Sequence, residues 1–395
     1  MQTERSLAVS LAEPHSKWFM LSLGAGLIML GGFLYGAVNI AFYGHHVLST
    51  SKEVPWGLFI VNYAFAISSI GLSYISSFGI VLGFKQFDVI SRRALYLAVI
   101  IIVAGVLSVA ADLASPLRAP FLLLTTHFTA PMGVVAMSIT LYILLISLEL
   151  YLVIKRGHHD LLVKAVAIVA FAAAVIVHSY HGAIFGLHYA RALWYGPYYP
   201  IYFLLSALFT SCALIIFITT YTYKMTGMQM SEKLRDSLGL IGKMLVYLLV
   251  IALFFLYWKV VSAHYAHKKE AFILITGKFS FNFWVFEVLM TYLIPIAILV
   301  YSRFKDINKM AFAGLLVVVG LFIGRYDFII AGQLVPFLSF TPFDNELGGS
   351  LSELASYTPN VVEIAYSIGL LGFIWTGYML GVKYLPLDKD ERDDG

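Results

Sequence analysis

The sequence predicts an all-α polytopic membrane protein with about ten transmembrane helices. Three observations carry that prediction. Of the 395 residues, 60% are hydrophobic and 12% are charged, with a mean hydropathy of +0.86. Apolar runs recur near 17–40, 57–83, 93–113, 131–154, 161–182, 198–222, 240–262, 281–302, 309–331 and 361–383, each close to the ~20 residues that cross the hydrocarbon core. None shows period-2 alternation, so these are helices and not the strands of a barrel. They use up most of the chain, and 1–395 reads as a single integral membrane domain.

The first span reads as a retained helix. Its apolar run is too long for a signal-peptide core, and Glu4 and Glu13 dilute the charge ahead of it. Pro55-Trp56-Gly57 opens the second, where a proline costs nothing because its missing N–H would be unpaired. Trp56 suits either an interfacial aromatic belt or a ligand wall. Asn62 and Tyr63 lie about one turn deeper, placed to hydrogen-bond a ligand carbonyl. The third span closes on Asp112, with Pro116 and Arg118 beyond it. That pattern is either an interfacial ion pair or a proton acceptor beside a cation.

The fourth span carries Glu149 toward its opposite end, as a packing partner or the start of a proton path. The fifth ends with His178 and His181, which share a helix face at i, i+3. Metal or haem ligation, helix packing and proton exchange with a bound ligand are all open to such a pair, although no third ligand accompanies it. The sixth contains Cys212, the one cysteine, which suits a small buried side chain and excludes a disulfide framework or a cluster ligated by several cysteines. Glu287 in the eighth span and Arg325 in the ninth either pair across helices or set a local field. The segment from Gly332 to Asn360 is long enough to cover the bundle mouth or dock a partner. The acidic run Asp388 to Asp394 reads as a solvated end.

With ten spans both termini share one side, and that side with its loops holds 18 of the 26 Lys and Arg residues. The positive-inside rule therefore places both termini in the cytoplasm. No basic stripe interleaved with aromatics points to nucleic acid. A faint repeat relates 55–156 to 197–304, flanked by helices 17–40 and 361–383, as duplicated four-helix bundles would.

Asn62, Asp112, His178, His181, Glu287 and Arg325 all lie toward the less basic side. Ionisable groups at membrane depth cost about 2.5 kcal/mol or more, so their gathering at one level suggests a single pocket.

Together, Pro55-Trp56-Gly57-Leu58, Ala111-Asp112-Leu113 with Pro116 and Arg118, Ser147-Leu148-Glu149-Leu150, and Phe283-Trp284-Val285-Phe286-Glu287 with Pro295 resemble the NrfD/PsrC family of quinone-reacting membrane subunits. Arg325, Pro359 and Glu363 add to the resemblance, which covers nearly the whole chain. The ten-span layout is similar to the branch found in hydrogenase-associated, sulfite-reduction-associated and high-molecular-weight cytochrome complexes. Two departures stand out: Ala114-Ser115-Pro116 replaces the usual Gly-Arg-Pro, and Val134 and Val135 stand where some members carry a glutamate.

The resemblance implies two four-helix bundles, no haem in this chain, and a quinone pocket near the outer face. It also implies a periplasmic ferredoxin-like iron–sulfur subunit beside a catalytic or multihaem subunit, in the prokaryotic plasma membrane. On that expectation Asp112, His178 and His181 exchange protons with the quinone or hold its carbonyls. Trp56, Asn62, Tyr63 and Arg118 surround the headgroup, and Glu149, Glu287 and Arg325 carry protons or set the field. The rivals are an ion-coupled secondary transporter and a haem-bearing cytochrome b subunit.

Overall fold

A computed structural model of the chain describes residues 17–125, 127, 129–266, 268–335 and 354–387. Among these are ten helices long and apolar enough to cross a membrane: Lys17–Val47, Leu58–Ile80, Lys85–Asp112, Pro131–Arg156, Leu161–Gly186, Tyr198–Thr226, Glu232–Tyr265, Asn282–Tyr301, Ile307–Leu334 and Val361–Tyr384. They are called spans 1 to 10 below. The described residues contain no strand. Glu4, Glu13, most of the segment after Gly332 and the acidic run after Leu387 lie outside the described residues.

Spans 2 to 5 pack around one another, as do spans 6 to 9; spans 5 and 6, 2 and 6, and 2 and 9 join the two groups. Spans 1 and 10 form a flanking pair, with span 10 resting on span 3. Small residues make that pair possible. A Cβ on Gly372 would lie 2.7 Å from the Gly26 carbonyl, and Gly369 meets the backbone of Phe33. Between membrane helices such close backbone approach supplies the attraction that a hydrophobic effect supplies in water. Span 1 leaves Trp18, Ile28 and Phe42 exposed, as a lipid-facing helix does.

Two spans are irregular, and both irregularities position polar groups. Span 2 is divided into helices Leu58–Ser69 and Leu72–Ile80. At the break Gly71 lies against span 6, where a Cβ would sit 2.5 Å from the Ala207 carbonyl. Carbonyls near the break take side-chain partners: Tyr142 donates to Ile70 O at 3.0 Å, and His178 Nε2 lies 3.0 Å from Ile67 O. Exposed backbone carbonyls are tolerated at membrane depth only with such partners.

Span 8 opens with a π-helix, Asn282–Leu293, before the α-helix Ile294–Tyr301. Pro295 has no N–H to offer the preceding turn. The wider turn carries a Thr291 hydroxyl that donates to Phe286 O at 3.0 Å. Span 10 begins with a capping box, in which Asn360 and Glu363 each accept the other's amide, at 3.0 and 2.9 Å.

Candidate functional site

The residues singled out by sequence fall into three groups instead of one pocket. The first is a buried polar column along span 2. At the less basic end the Tyr63 hydroxyl lies 2.5 Å from His181 Nε2. Further in, Ser68 accepts from the Arg325 guanidinium at 2.8 Å. Next come Tyr74, 3.0 Å from His178 Nδ1, and Ser73, whose hydroxyl lies 2.6 Å from that of Tyr142. Deepest is Ser76, which donates to Glu149 Oε1 at 3.0 Å. From Tyr63 to Ser76 the helical rise is roughly 20 Å, about two-thirds of a hydrocarbon core.

His178 and Glu149 are fully buried in this column. The nitrogens of His178 lie 3.0 Å from Ile67 O and 2.6 Å from Ala174 O. A neutral imidazole has one N–H and an imidazolium has two. The neutral ring therefore satisfies one of these carbonyls, and adding a proton satisfies both. Among the described residues Glu149 Oε2 has no hydrogen-bond partner.

The second group forms a rim on the less basic face. Trp56 is locked by Gln333, whose amide accepts from Trp56 N and donates to Trp56 O, both at 2.9 Å. Its ring stacks on Trp194 with centroids 5.4 Å apart and meets Phe185 edge-on. Asn62 donates to Ser367 at 2.7 Å, so span 10 takes one of its two amide N–H groups. Glu363 is buried and accepts from Tyr357 at 2.8 Å. Burial and the Glu363 charge push the Tyr357 phenol up, which keeps it a donor. Asp112 ends span 3, half-buried and within electrostatic range of Glu363.

Arg118 is exposed, and among the described residues no ion pair or hydrogen bond joins it to Asp112. The interfacial pair expected from their spacing does not form. Arg118 follows Pro116 in a short helical turn that carries it out of the rim.

The third group lies among spans 6 to 9. The expected ion pair of Glu287 with Arg325 is replaced by a different arrangement. Arg325 gives its guanidinium to Ser68 and Ser206, at 2.8 and 2.5 Å, and lies 4.0 Å over the Phe203 ring. Glu287 packs on Gly324 and interacts electrostatically with Lys259 first and Arg325 second. Asn282 donates to Asp327 Oδ1 at 2.9 Å, while Asp327 Oδ2 is buried without a partner among the described residues. Beside this group is a cleft of about 470 Å³ lined by Tyr198, Tyr199, Phe255, Trp258, Lys259 and Leu274 among others.

Among the described residues no group of three or more His, Cys, Asp or Glu side chains converges as a metal-ligand set. Sequence reasoning passes over Ser68, Ser73, Ser76, Tyr74 and Tyr142, which link the column, and Gln333, which fixes Trp56. A polar stripe along one face of an otherwise apolar span is the available signal. Lys259, six residues inside the end of span 7, reads from sequence only as a loop charge.

Comparison with known proteins follows the same direction. The family model described as polysulphide reductase, NrfD, matches residues 46–336. The chain is 28% identical over 345 residues to an Hdr-like menaquinol oxidoreductase integral membrane subunit of Archaeoglobus fulgidus, covering 85% of this chain and 86% of that one. It is 27% identical to a selenate reductase subunit of Mesobacillus selenatarsenatis, covering 89% and 90%. It is 22% identical to a menaquinone reductase integral membrane subunit of Nitratidesulfovibrio vulgaris, covering 95% and 93%.

Proposed function

The chain belongs to the polysulphide reductase NrfD family, and on that premise we propose that it is the quinone-reacting membrane subunit of a prokaryotic respiratory oxidoreductase complex. Two relatives are named for menaquinol or menaquinone, which supports a quinone as the substrate here. The excess of Lys and Arg on the side of the termini supports cytoplasmic termini and a periplasmic rim. There a ferredoxin-like iron–sulfur subunit, beside a catalytic or multihaem subunit, exchanges electrons with the quinone.

One observation carries this reading: the buried polar column that starts at Tyr63 and His181 and runs inward to Glu149. A quinone takes up or releases two electrons and two protons. Electrons come from a partner, so this chain's task is to hold the headgroup and move protons. With His181 Nδ1 donating to Val177 O, the neutral ring accepts the Tyr63 hydroxyl proton at Nε2, 2.5 Å away. Once His181 is protonated it donates to the Tyr63 oxygen instead, and the hydroxyl turns to a headgroup carbonyl. The aromatic wall of Trp56 and Trp194 covers the headgroup's face. Asp112 exchanges protons with the aqueous edge. His178 and Glu149 store protons deeper in the column, and Arg325, held by two serines, fixes the field between them.

The mid-membrane break in span 2 is a device that transporters use to build ion sites. Here its carbonyls are occupied by Tyr142 and His178. That favours a proton relay over an ion-coupled carrier.

Positioned acid–base groups contribute about 10²–10⁴ in rate. His181→Gln, which keeps a hydrogen-bonding amide but cannot titrate, is expected to lower quinol-dependent turnover of the assembled complex about a hundredfold or more. Asp112→Asn is expected to fall similarly. Unchanged turnover in both, with partner subunits still copurifying, would remove the proposal.

A further inference from the structure

The cleft among spans 6 to 8 lies apart from the Tyr63–His181 column and opens on the lipid side of the bundle. Its walls come from the start of span 6, the outer end of span 7, the short helix Lys269–Ile275 and Phe283. Ile201 and Trp258 line it and are each 50% exposed, so its apolar wall runs out onto the surface that faces the bilayer. Leu256 and Leu274, both buried, continue that wall inward.

The charged lining is one-sided. Among the described residues it consists of Lys259 and Lys268, with no carboxylate. Lys259 holds its ammonium 5.0 Å from the centre of the Tyr198 ring and 4.8 Å from that of Tyr199. Glu287, which does not line the cleft, offsets its charge electrostatically. Lys268 is held differently. It donates to two neutral carbonyls, Ala192 O and Tyr195 O, at 3.2 and 3.3 Å. Those bonds leave its positive charge in place and one of its three N–H groups for another acceptor. The exposed Ser262 lies in the same lining.

The level of these lysines in the membrane follows from span 7. Lys243 and Lys259 bracket an uncharged run, 244–258, whose rise is about 24 Å against a hydrocarbon core of about 30 Å. Lysine stems extend along apolar surface to bring their charge to water, so Lys259 marks the outer edge of the core. Lys268 lies beyond the end of span 7 at Tyr265, on the headgroup side of that edge. Half-exposed Tyr195 and Trp258 line the cleft at this level, as aromatic residues do at a membrane interface. Positive charge at the headgroup level above an apolar wall open to lipid is complementary to one kind of molecule.

We infer that this cleft binds an anionic glycerophospholipid of the outer leaflet, its phosphate against Lys268 and Lys259 and an acyl chain along Ile201 and Trp258. A zwitterionic lipid brings its own cation to the lysines, and a free phosphate leaves the apolar wall uncovered. The cleft, at about 470 Å³, takes the phosphate and the upper part of one chain. The inference does not rest on the quinone reading above.

The test reconstitutes the assembled complex in phosphatidylcholine nanodiscs doped with phosphatidylglycerol that carries a photoreactive acyl chain, and maps the labelled peptides. The expected result is label on the Tyr195–Ile201 and Trp258–Ala263 peptides that unlabelled phosphatidylglycerol displaces and added phosphatidylcholine does not. A lysine near a membrane surface contributes about fivefold to the binding of anionic lipid. Lys268→Met and Lys259→Met should each lower the cleft label by about that factor. Ala263→Phe, which fills the cleft and keeps both lysines, should lower it at least as much and guards against a misfolded lysine variant. Cleft label unchanged in Lys268→Met and Ala263→Phe would overturn the inference. Equal cleft label from a photoreactive phosphatidylcholine would also overturn it, by making the contact ordinary solvation by lipid. Displacement by a short-chain quinone or by inorganic phosphate, but not by phosphatidylglycerol, would assign the cleft to that ligand and overturn it too.

Discussion

The two helix groups differ in how far their buried polar side chains link up. In spans 2 to 5 buried side chains pair in a row: Tyr63 with His181, Tyr74 with His178, Ser73 with Tyr142, Ser76 with Glu149. In spans 6 to 9 the Tyr198 hydroxyl and Asp327 Oδ2 are buried without partners among the described residues, and Lys259 lines a cleft. A connected row of donors and acceptors can move a proton through a closed core. Buried polar atoms left unsatisfied call for a further partner. Arg325 belongs to both regions, since it rises from span 9 and bonds Ser68 of span 2 and Ser206 of span 6.

The comparison can be broken most severely at Gly71, where the two groups touch. Gly71→Val would place side-chain atoms against Ala207 O and Ser211 Oγ, which a Cβ alone already approaches to 2.5 and 2.8 Å. Overpacking of this kind costs about 1–3 kcal/mol. The expected outcome is a clearly lower thermal midpoint in detergent, followed by fluorescence-detected size exclusion. A smaller effect is expected from Ser76→Ala. It removes the donor to Glu149 Oε1 in a carboxylate whose other oxygen is already unpaired. The loss should be about 1–2 kcal/mol, read from the same midpoint, with slower turnover if Glu149 relays protons. The smallest effect is expected at Arg118, which is exposed and outside the rim. Arg118→Ala should leave stability within about 0.5 kcal/mol and quinol turnover unchanged.

Ten spans were legible because hydropathy and length settle a membrane helix almost unaided. The break in span 2 was not. It contains no proline, and it comes from Gly71 meeting span 6 and from carbonyls satisfied by His178 and Tyr142 on other helices. The π-helix that opens span 8 was not legible either, since the sequence reading treated Pro295 only as part of the family resemblance. Among site residues, Tyr63, His181, Glu149 and Arg325 stood out because polar groups are rare at depth. Their partners did not, because serine in a membrane helix usually bonds its own i−4 carbonyl, as Ser69 and Ser77 do here. Glu287 with Arg325 looked like a pair on charge alone, but serine hydroxyls and an aromatic face claim the guanidinium.

The central claim is that the Tyr63–His181 end of the column handles quinone protons. Tyr63→Phe tests it most directly, because it removes one hydroxyl and leaves the ring packing intact. Steady-state quinol-dependent turnover of the assembled complex should fall at least tenfold, with all partner subunits still copurifying. Turnover within twofold of the unaltered complex would contradict the account.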